Sequence, residues 1–259
     1  MKSKQRLATL SSALVTFLII ALFVYQSLQK SASTANPPPA GAAPASPTAD
    51  ARPSRTPASA TAQPGGKKAG FDFYVLNLSW SPDYCASSGS DDPQQCSLGK
   101  KLGFVLHGLW PQYNQGWPEY CAYLKLSPNV KAEFPNLYPS ASLYDHEWDK
   151  HGTCSGLTPE GYLSLSKRLR DSVAIPAAYK APDQPVRVTT VQLKKDFVAA
   201  NPALTEASLA VYCSGSGRFL SELYVCFSSE GKPQACSQEI HGKAAKSCGG
   251  PDLLVRNVR

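Results

Sequence analysis

After residue 70, the spacing of apolar residues alternates between the period typical of strands and the period typical of helices. Residues 71–80 alternate, with Tyr74, Leu76, Leu78 and Trp80 on one face, which predicts a strand. A short apolar run predicts a second strand over 103–106. Helices are predicted over 145–151, 159–170 and, with a capped amphipathic pattern, 190–200; later strands are predicted over 207–212 and 219–227. This order predicts an α+β fold, a single domain with a central antiparallel sheet flanked by helices.

The first 70 residues differ from the rest in composition. Lys2, Lys4 and Arg6 precede an apolar stretch, so residues 1–30 are predicted to be a secretory signal or an uncleaved membrane anchor. The stretch has roughly 20 residues, which is enough to span a bilayer. Residues 31–70 are rich in Ala, Pro, Ser and Thr, which predicts a disordered linker. Residues 71–259 are then the exported globular domain.

The net charge of +7 does not predict a nucleic-acid-binding face. Eight of the 26 Lys and Arg residues and one of the 19 acidic residues precede residue 71, which leaves 18 of each in residues 71–259. The globular domain is therefore formally neutral, and the excess positive charge belongs to the N-terminal segments. Any attraction to an anionic partner has to come from a local arrangement of side chains.

All the cysteines lie in residues 71–259. An even number of cysteines in an exported chain predicts disulfides that stabilise the domain, but many pairings are open from the residues alone. No Cys-x-x-Cys pair is present, which argues against a metal site. The eight cysteines are Cys85, Cys96, Cys121, Cys154, Cys213, Cys226, Cys236 and Cys248.

Residues 146–154 concentrate the groups that acid–base chemistry needs. They read His-Glu-Trp-Asp-Lys-His-Gly-Thr-Cys, with two imidazoles and a paired Glu and Lys in the first six positions. A third histidine, His107, lies in Leu-His-Gly-Leu-Trp-Pro, directly after an apolar run. Histidine can both take and give a proton near neutral pH. Two such clusters indicate acid–base chemistry on an anionic substrate.

The helix predicted over 145–151 divides these groups between two faces. At roughly 100° per residue, His146 and Lys150 share one face, and an adjacent face carries Glu147 with His151. The two histidines are five positions apart and diverge by roughly 140°. A zinc protease helix has both histidines on one face at a spacing of four. The spacing in this chain therefore argues against zinc.

Three segments match the motifs of a known family. Residues 107–111 read His-Gly-Leu-Trp-Pro, residues 146–154 match His-Glu-Trp-x-Lys-His-Gly-Thr-Cys, and a Leu-x-Trp-x-Pro-x-x-Cys pattern begins at Leu78. In these motifs and their order, the chain resembles the ribonuclease T2 family of acid endoribonucleases. That family includes plant self-incompatibility ribonucleases and bacterial periplasmic ribonuclease I. The resemblance covers about residues 70–250.

The resemblance implies an activity and a disulfide pattern, and the N-terminal segment implies a location. The expected activity is cleavage of single-stranded RNA by transesterification, without metal or cofactor, leaving 2′,3′-cyclic phosphate ends. The protein is expected to be a monomer, periplasmic or secreted, and tethered to the inner membrane if the N-terminal segment stays uncleaved. The disulfides implied by the resemblance are Cys85–Cys96, Cys121–Cys154, Cys213–Cys248 and Cys226–Cys236.

The resemblance also assigns a role to each residue of the two segments. It makes His151 the general base and His107 the general acid. It has His146 and Lys150 bind the substrate phosphate, and Glu147 and Lys150 stabilise the transition state. Because Glu147 shares a helix face with His151, we also expect it to orient that imidazole and to raise its pKa.

Three residues near the first segment are candidates for holding a base. Trp110 offers a stacking surface, and Tyr113 is a second stacking candidate. Gln112 stands where fungal members have an Asp, and because an amide both donates and accepts, we expect broad base specificity. Trp117 and Trp148 are expected to be packing residues.

Two other classes of protein are open alternatives. One is a catalytically inactive relative that binds RNA; all five catalytic positions are filled, which disfavours it. The other is a metal-dependent hydrolase that uses His146, Glu147 and His151, which the five-residue spacing of the histidines opposes.

Overall fold

The computed structural model describes residues 70–89 and 91–259, so the predicted export segment and most of the predicted linker lie outside the described residues. The strands are β1 Phe73–Trp80, β2 Phe104–Gln112, β3 Val186–Thr189, β4 Leu209–Ser214, β5 Phe219–Ser228 and β6 Asp252–Val255. The α-helices are α1 Ser81–Ser87, α2 Pro93–Cys96, α3 Pro128–Glu133, α4 Ala141–Lys150, α5 Pro159–Asp171, α6 Thr190–Ala200 and α7 Gln238–Ser247. In this part of the chain, no helix has the length and apolar content needed to cross a membrane.

The strands form one sheet flanked by helices. Its order is β2-β1-β5-β6-β3, and β4 also pairs with β5. The neighbours run antiparallel, except that β5 and β6 are parallel and share the single pair Phe219 and Leu254. The predicted α+β fold, a single domain with a central antiparallel sheet flanked by helices, is confirmed, and the parallel pair of β5 with β6 is an addition to it. The chain reaches β6 after α7, and this crossover brings β6 beside β5 in the same direction.

Strand β1 lies between β2 and β5 and is buried on both faces. The predicted face of β1 enters the larger core cluster with the inner faces of α5 and α6. The other face, with Phe73 and Val75, packs against Ile240 and Ala244 of α7. Side chains alternate along a strand, so a strand that is covered on both sides must be apolar at nearly every position. The sheet is thus packed on both faces, and α7 covers the face that carries Phe73 and Val75.

Several predicted elements differ from the observed ones. Helix α6 has the predicted bounds because Thr189 caps it by accepting a hydrogen bond from the backbone N–H of Gln192 at 3.0 Å. Helix α4 begins at Ala141, four residues before the predicted start, because Ser140 is the extended residue that precedes the helix. Strand β2 continues through the first histidine segment to Gln112. The pattern did not predict α1, α2, α3, α7, β3 or β6.

The four disulfides implied by the family resemblance are all confirmed. They join Cys85 to Cys96, Cys121 to Cys154, Cys213 to Cys248 and Cys226 to Cys236. The Cys121–Cys154 bond ties the loop after β2 to the turn that follows α4. It therefore connects the two histidine segments by a covalent link outside the sheet.

Candidate active site

The two histidine segments meet in one open cavity of about 360 Å³. Strand β2 forms one side of the cavity, α4 a second, and strands β4 and β5 with α7 the rest. The cavity brings together all the residues predicted to act in catalysis or binding. They are His107, Trp110, Gln112, Tyr113, His146, Glu147, Lys150 and His151.

A β-bulge in β2 carries His107 into this cavity. Asn77 of β1 pairs with Gly108, and the next residue, Leu78, pairs with Leu106. His107 is therefore an extra residue without a partner in β1, which is the definition of a bulge. Leu106 is buried in the core, whereas the His107 side chain is 34% exposed. The bulge thus turns the imidazole out of the core, and the prediction that His107 follows the end of a strand is wrong.

Glu147 lies at the bottom of the cavity and is fully buried. Its Oε2 accepts a hydrogen bond from the indole Nε1 of Trp110 at 2.7 Å. Its Oε1 has no hydrogen-bond partner and lies 3.7 Å from Nε2 of His107 and 4.0 Å from Nε2 of His146. Burial raises the pKa of Glu147 to about 8, against the opposing effects of the Trp110 hydrogen bond and the Lys150 charge. The carboxyl group is therefore neutral in acid and can donate a hydrogen bond from Oε1.

His151 is the cap residue that directly follows α4, and it is almost fully buried. Its ring stacks on Trp110 with the centroids 5.1 Å apart, and its Nδ1 has no hydrogen-bond partner. Burial lowers the pKa of His151 to about 3, and the charges of Lys150, His146 and His107 act in the same direction. This imidazole is therefore neutral in all but strong acid.

The expected pairing of Glu147 with His151 is wrong. Within residues 70–89 and 91–259, no ion pair joins the two, and the imidazoles within about 4 Å of the Glu147 carboxyl group are those of His107 and His146. The expected direction of the pKa shift is also wrong, because burial of His151 lowers its pKa. The i, i+4 spacing places both side chains at the same cavity, but Glu147 turns to Trp110 instead.

His107 and His146 are the more accessible imidazoles. Burial lowers the pKa of His107, and the charge of Glu222 opposes this change, while His146 and Lys150 add to it. The His146 side chain is half exposed, and burial and the charge of Lys150 lower its pKa. Lys150 itself reaches Glu119, with 3.8 Å between Nζ and Oε2. The open side of the cavity therefore presents two imidazoles and one ammonium group.

The two glycines of the histidine segments allow close approaches that a side chain would block. A Cβ on Gly108 would lie 1.8 Å from Oε2 of Glu147 and 2.3 Å from Nε1 of Trp110. A Cβ on Gly152 would lie 2.4 Å from the Trp148 ring. Each glycine therefore stands where the backbone touches a buried group of the site. Trp148 is 1% exposed, which confirms its prediction as a packing residue.

The three predicted base-binding residues line the cavity in different ways. Trp110 is held between other rings, with His151 stacked on it and Tyr224 edge-on at 5.5 Å. The Gln112 side chain is buried, and its amide donates to the carbonyl oxygen of Pro111 at 3.0 Å. Tyr113 is 40% exposed. Tyr113 is thus the most accessible of the three.

The sequence did not predict the wall of the cavity that faces the histidines. Trp117 is 46% exposed, so its prediction as a packing residue is wrong. Lys243 of α7 lies over the Trp117 ring at 4.9 Å from its centroid and pairs with Glu239 at 2.5 Å. Glu239 accepts a hydrogen bond from the backbone N–H of Gly116 at 2.6 Å. Because α7 is more than a hundred residues from this loop in sequence, no local pattern indicated the contact.

The described residues contain no group of three or more His, Cys, Asp or Glu side chains arranged to hold a metal ion. The nearest candidates for such a group are the side chains of His107, His146 and Glu147. Oε1 of Glu147 lies 3.7 Å from Nε2 of His107 and 4.0 Å from Nε2 of His146. Zinc–ligand bonds are about 2.0–2.3 Å long. Metal independence of the reaction stays a prediction.

Comparisons with known proteins agree with the geometry. The model of the ribonuclease T2 family matches residues 71–236. A ribonuclease from Aeromonas hydrophila is 41% identical over 210 residues, which cover 78% of this chain and 93% of that protein. Among solved structures, an RNase-related protein from Calystegia sepium has a TM-score of 0.56 at 22% identity, covering 73% of this chain and 97% of that one. RNase NT, solved in complex with 5′-AMP, has a TM-score of 0.54 at 21% identity, covering 72% and 98%.

The α+β fold and the paired histidine segments define a ribonuclease-type site. With the family match over most of the described residues, the chain belongs to the ribonuclease T2 family. Its enzyme class is therefore endoribonuclease.

Proposed function

We propose that this protein cleaves single-stranded RNA by metal-independent transesterification and leaves 2′,3′-cyclic phosphate ends. The observation that carries this proposal is the placement of the His107 and His151 imidazoles in one cavity, both in contact with the Trp110 ring. His151 has a pKa of about 3, whereas the charge of Glu222 limits the fall of the His107 pKa. In mild acid, His151 is then a free base, whereas Glu222 favours the protonated form of His107.

The substrate supplies its own nucleophile, the 2′-OH. His151 removes the proton of this hydroxyl group, and the oxygen attacks the adjacent phosphorus. His107 protonates the departing 5′-oxygen, so that the P–O bond breaks without forming a free alkoxide. The products are a 2′,3′-cyclic phosphate and a free 5′-hydroxyl. Each proton transfer contributes about 10²- to 10⁴-fold to the rate.

The phosphorane intermediate has more negative charge on its oxygens than the starting diester. Lys150 and His146 lie on the open side of the cavity, where they bind the phosphate. Glu147 has a pKa of about 8, so its neutral carboxyl group donates a hydrogen bond from the unpartnered Oε1 to a phosphorane oxygen. A neutral donor stabilises the added charge without repelling the diester.

The base is held near the loop after β2. Tyr113 and Trp117 are exposed on this side of the cavity and offer stacking surfaces. Trp110 contacts the base through the part of its ring that other side chains leave free, and Gln112 lines the cavity beside Trp110. Stacking accepts any base, so the proposal includes broad base specificity.

The disulfides support a location outside the reducing cytosol. Four disulfides in one domain are typical of exported proteins, so the proposal includes a periplasmic or secreted enzyme. We further propose that the protein is a monomer, and that residues 1–30 tether it to the inner membrane if they are not cleaved.

An RNA with a single 2′-deoxynucleotide tests the mechanism directly. The full chain is incubated with a short single-stranded RNA in excess EDTA, and the ends are identified by mass spectrometry. We expect 2′,3′-cyclic phosphate ends at every cleaved position and no cleavage after the deoxynucleotide. Cleavage after that nucleotide, or activity only when a metal is restored, would contradict the proposal.

A further inference from the structure

Glu222 of β5 takes no direct part in the proton transfers or the phosphate binding of the proposed mechanism, but it lies beside His107. Its Oε1 lies 3.8 Å from Nδ1 of His107, and its side chain is 23% exposed. Nε2, on the other side of the same imidazole, lies 3.7 Å from Oε1 of Glu147. His107 is therefore held between two carboxyl groups, one on each ring nitrogen.

The β-bulge in β2 and the regular pairing of β1 with β5 bring His107 and Glu222 together. The bulge in β2 leaves His107 unpaired, as described above. In β5, Glu222 pairs with Tyr212 of β4 and Leu220 pairs with Cys213, which leaves Ser221 as an extra residue. Leu220 and Leu223 can then both enter the core, three positions apart, while Glu222 remains at the cavity side. A regular β5 would turn either Leu220 or Leu223 away from the core.

Asn77 of β1 fixes the Glu222 carboxylate between the two strands. It is completely buried, and its Nδ2 donates to Oε1 of Glu222 at 2.9 Å. The same oxygen is the one that faces Nδ1 of His107. The buried amide therefore limits the positions that the carboxylate can take, and the row Asn77, Glu222 and His107 crosses three adjacent strands.

We propose that Glu222 is a positioning residue for His107: its carboxylate accepts the Nδ1 proton and holds the ring with Nε2 directed at the reacting phosphate. This inference rests on the proposed function, in which His107 is the general acid. A carboxylate on the second nitrogen of a catalytic histidine fixes the ring orientation and stabilises the imidazolium form. Glu222 would do so from β5 without touching the substrate.

The contact between Glu222 and His107 matters because the other groups around His107 act against its protonation. From α4, Lys150 and His146 face the ring and lower its pKa, and burial is the largest effect in the same direction. Glu147 of α4 lies at Nε2, Tyr224 of β5 packs nearby on Trp110, and Asn77 of β1 is uncharged. Glu222 raises the His107 pKa against burial and the two cationic groups. Without Glu222, less His107 would be protonated at any given pH.

The test compares two substrates that differ in their need for a general acid. One is a dinucleotide, whose 5′-oxygen leaves as an alkoxide unless it is protonated. The other is the 4-nitrophenyl ester of the same 3′-nucleotide, whose nitrophenolate leaves readily without a proton. H107A sets the reference, with a large loss of kcat/KM on the dinucleotide and a small loss on the ester.

We expect E222Q to follow the H107A pattern at a smaller scale. On the dinucleotide kcat/KM falls about 10- to 100-fold, a part of what a general acid contributes, and on the ester it falls by less than about threefold. The alkaline limb of the pH profile moves to lower pH, because the lost carboxylate no longer raises the His107 pKa. E222D restores part of the activity. E230Q, at an exposed glutamate beyond the end of β5, is the matched control and should behave as wild type.

The outcomes separate the inference from the proposed function. An inactive H107A beside an unimpaired E222Q overturns the role of Glu222 alone. Equal losses on both substrates in E222Q also overturn it, since a general weakening of the fold affects both reactions. An H107A variant that cleaves the dinucleotide at the wild-type rate overturns the proposed function, and the inference with it.

Discussion

The indole of Trp110 donates a hydrogen bond to Glu147 at 2.7 Å, and this bond directly joins the two histidine segments. The same indole stacks on His151 at 5.1 Å and meets His107 edge-on at 5.6 Å. Trp110 therefore contacts the imidazoles of both His107 and His151, and its position limits how closely the two rings approach each other. Its hydrogen bond also occupies one oxygen of Glu147, which leaves the other oxygen free to face the cavity. The base-stacking role of Trp110 stays a prediction beside this structural one.

Replacing Glu147 by Gln should stabilise the protein at neutral pH and lower its activity. The unfolded chain ionises this group from its ordinary pKa of 4.5, whereas the folded protein does so only near 8. Stability is therefore lost as the pH rises between these values, and Gln has no such loss. E147Q should gain at most about 3 kcal/mol in the free energy of unfolding at pH 7 and almost nothing at pH 4. We expect kcat/KM to fall about 100-fold, because the amide stabilises the phosphorane less well.

Denaturant unfolding at both pH values checks this prediction. E133Q, at an exposed glutamate that ends α3, is the control and should show no pH-dependent gain. A gain in E147Q of the same size at pH 4 and pH 7 would mean that the buried carboxyl group is not the cause.

Replacing Gly108 by Ala should disrupt the site more than the fold. The added Cβ would lie 1.8 Å from Oε2 of Glu147, so the Trp110–Glu147 hydrogen bond must break or shift. We expect kcat/KM to fall 100-fold or more, and the free energy of unfolding to fall by about 1–3 kcal/mol. Gly242 in α7 is the matched control, because no atom lies within 4 Å of a Cβ there. G242A should stabilise the helix by about 1 kcal/mol and leave kcat unchanged; equal activity of the two variants would refute the prediction.

The fold could be predicted where the pattern is local. Helix α6 has a cap at Thr189 and apolar residues at helical spacing, so its bounds were correct. Strands β3 and β6 were missed because each has four residues, and they pair with each other across about sixty positions of the chain. Helix α7 was missed because only Ile240 and Ala244 are buried along it, which is too few for an apolar period.

The site could be predicted where its chemistry lies in short segments. Both histidine segments meet as expected, because β2 and α4 each carry one. The direction of the His151 pKa shift was wrong because spacing along a helix does not report burial. Glu222 was not predicted, since a polar residue in an alternating strand looks like a solvent-facing position. Its neighbour His107 is distant in sequence and comes close only through the pairing of β5 with β1.

Breaking the Cys121–Cys154 disulfide should affect activity as well as stability. The bond closes a 33-residue separation and fixes the turn directly after His151. For the double variant C121A/C154A we expect the free energy of unfolding to fall by about 4 kcal/mol and kcat to fall at temperatures where the protein is still folded. The comparison is C85A/C96A, which removes a bond across 11 residues, costs about 3 kcal/mol and should leave kcat unchanged. Equal effects on kcat would show that the bond has no specific link to the site.

The pH dependence of cleavage should have its optimum in acid. The base His151 must be neutral, so activity falls as the pH approaches about 3. The acid His107 must be protonated, so activity falls as the pH rises through its pKa, which burial lowers from the ordinary 6.5. The profile of kcat/KM should therefore be bell-shaped, with its maximum between the pKa of His151 and the lowered pKa of His107. A maximum above pH 7 would contradict these protonation states.

The most direct test of the account is cleavage of mixed-sequence RNA in excess EDTA by the wild-type protein, H107A and H151A. We expect the wild type to cleave, and each variant to lose about 10²- to 10⁴-fold in kcat/KM, as is typical for removal of a general acid or base. Near-UV circular dichroism and the unfolding midpoint of each variant establish that it is folded. Full activity in either folded variant, or wild-type activity that requires zinc or magnesium, would contradict two-histidine catalysis.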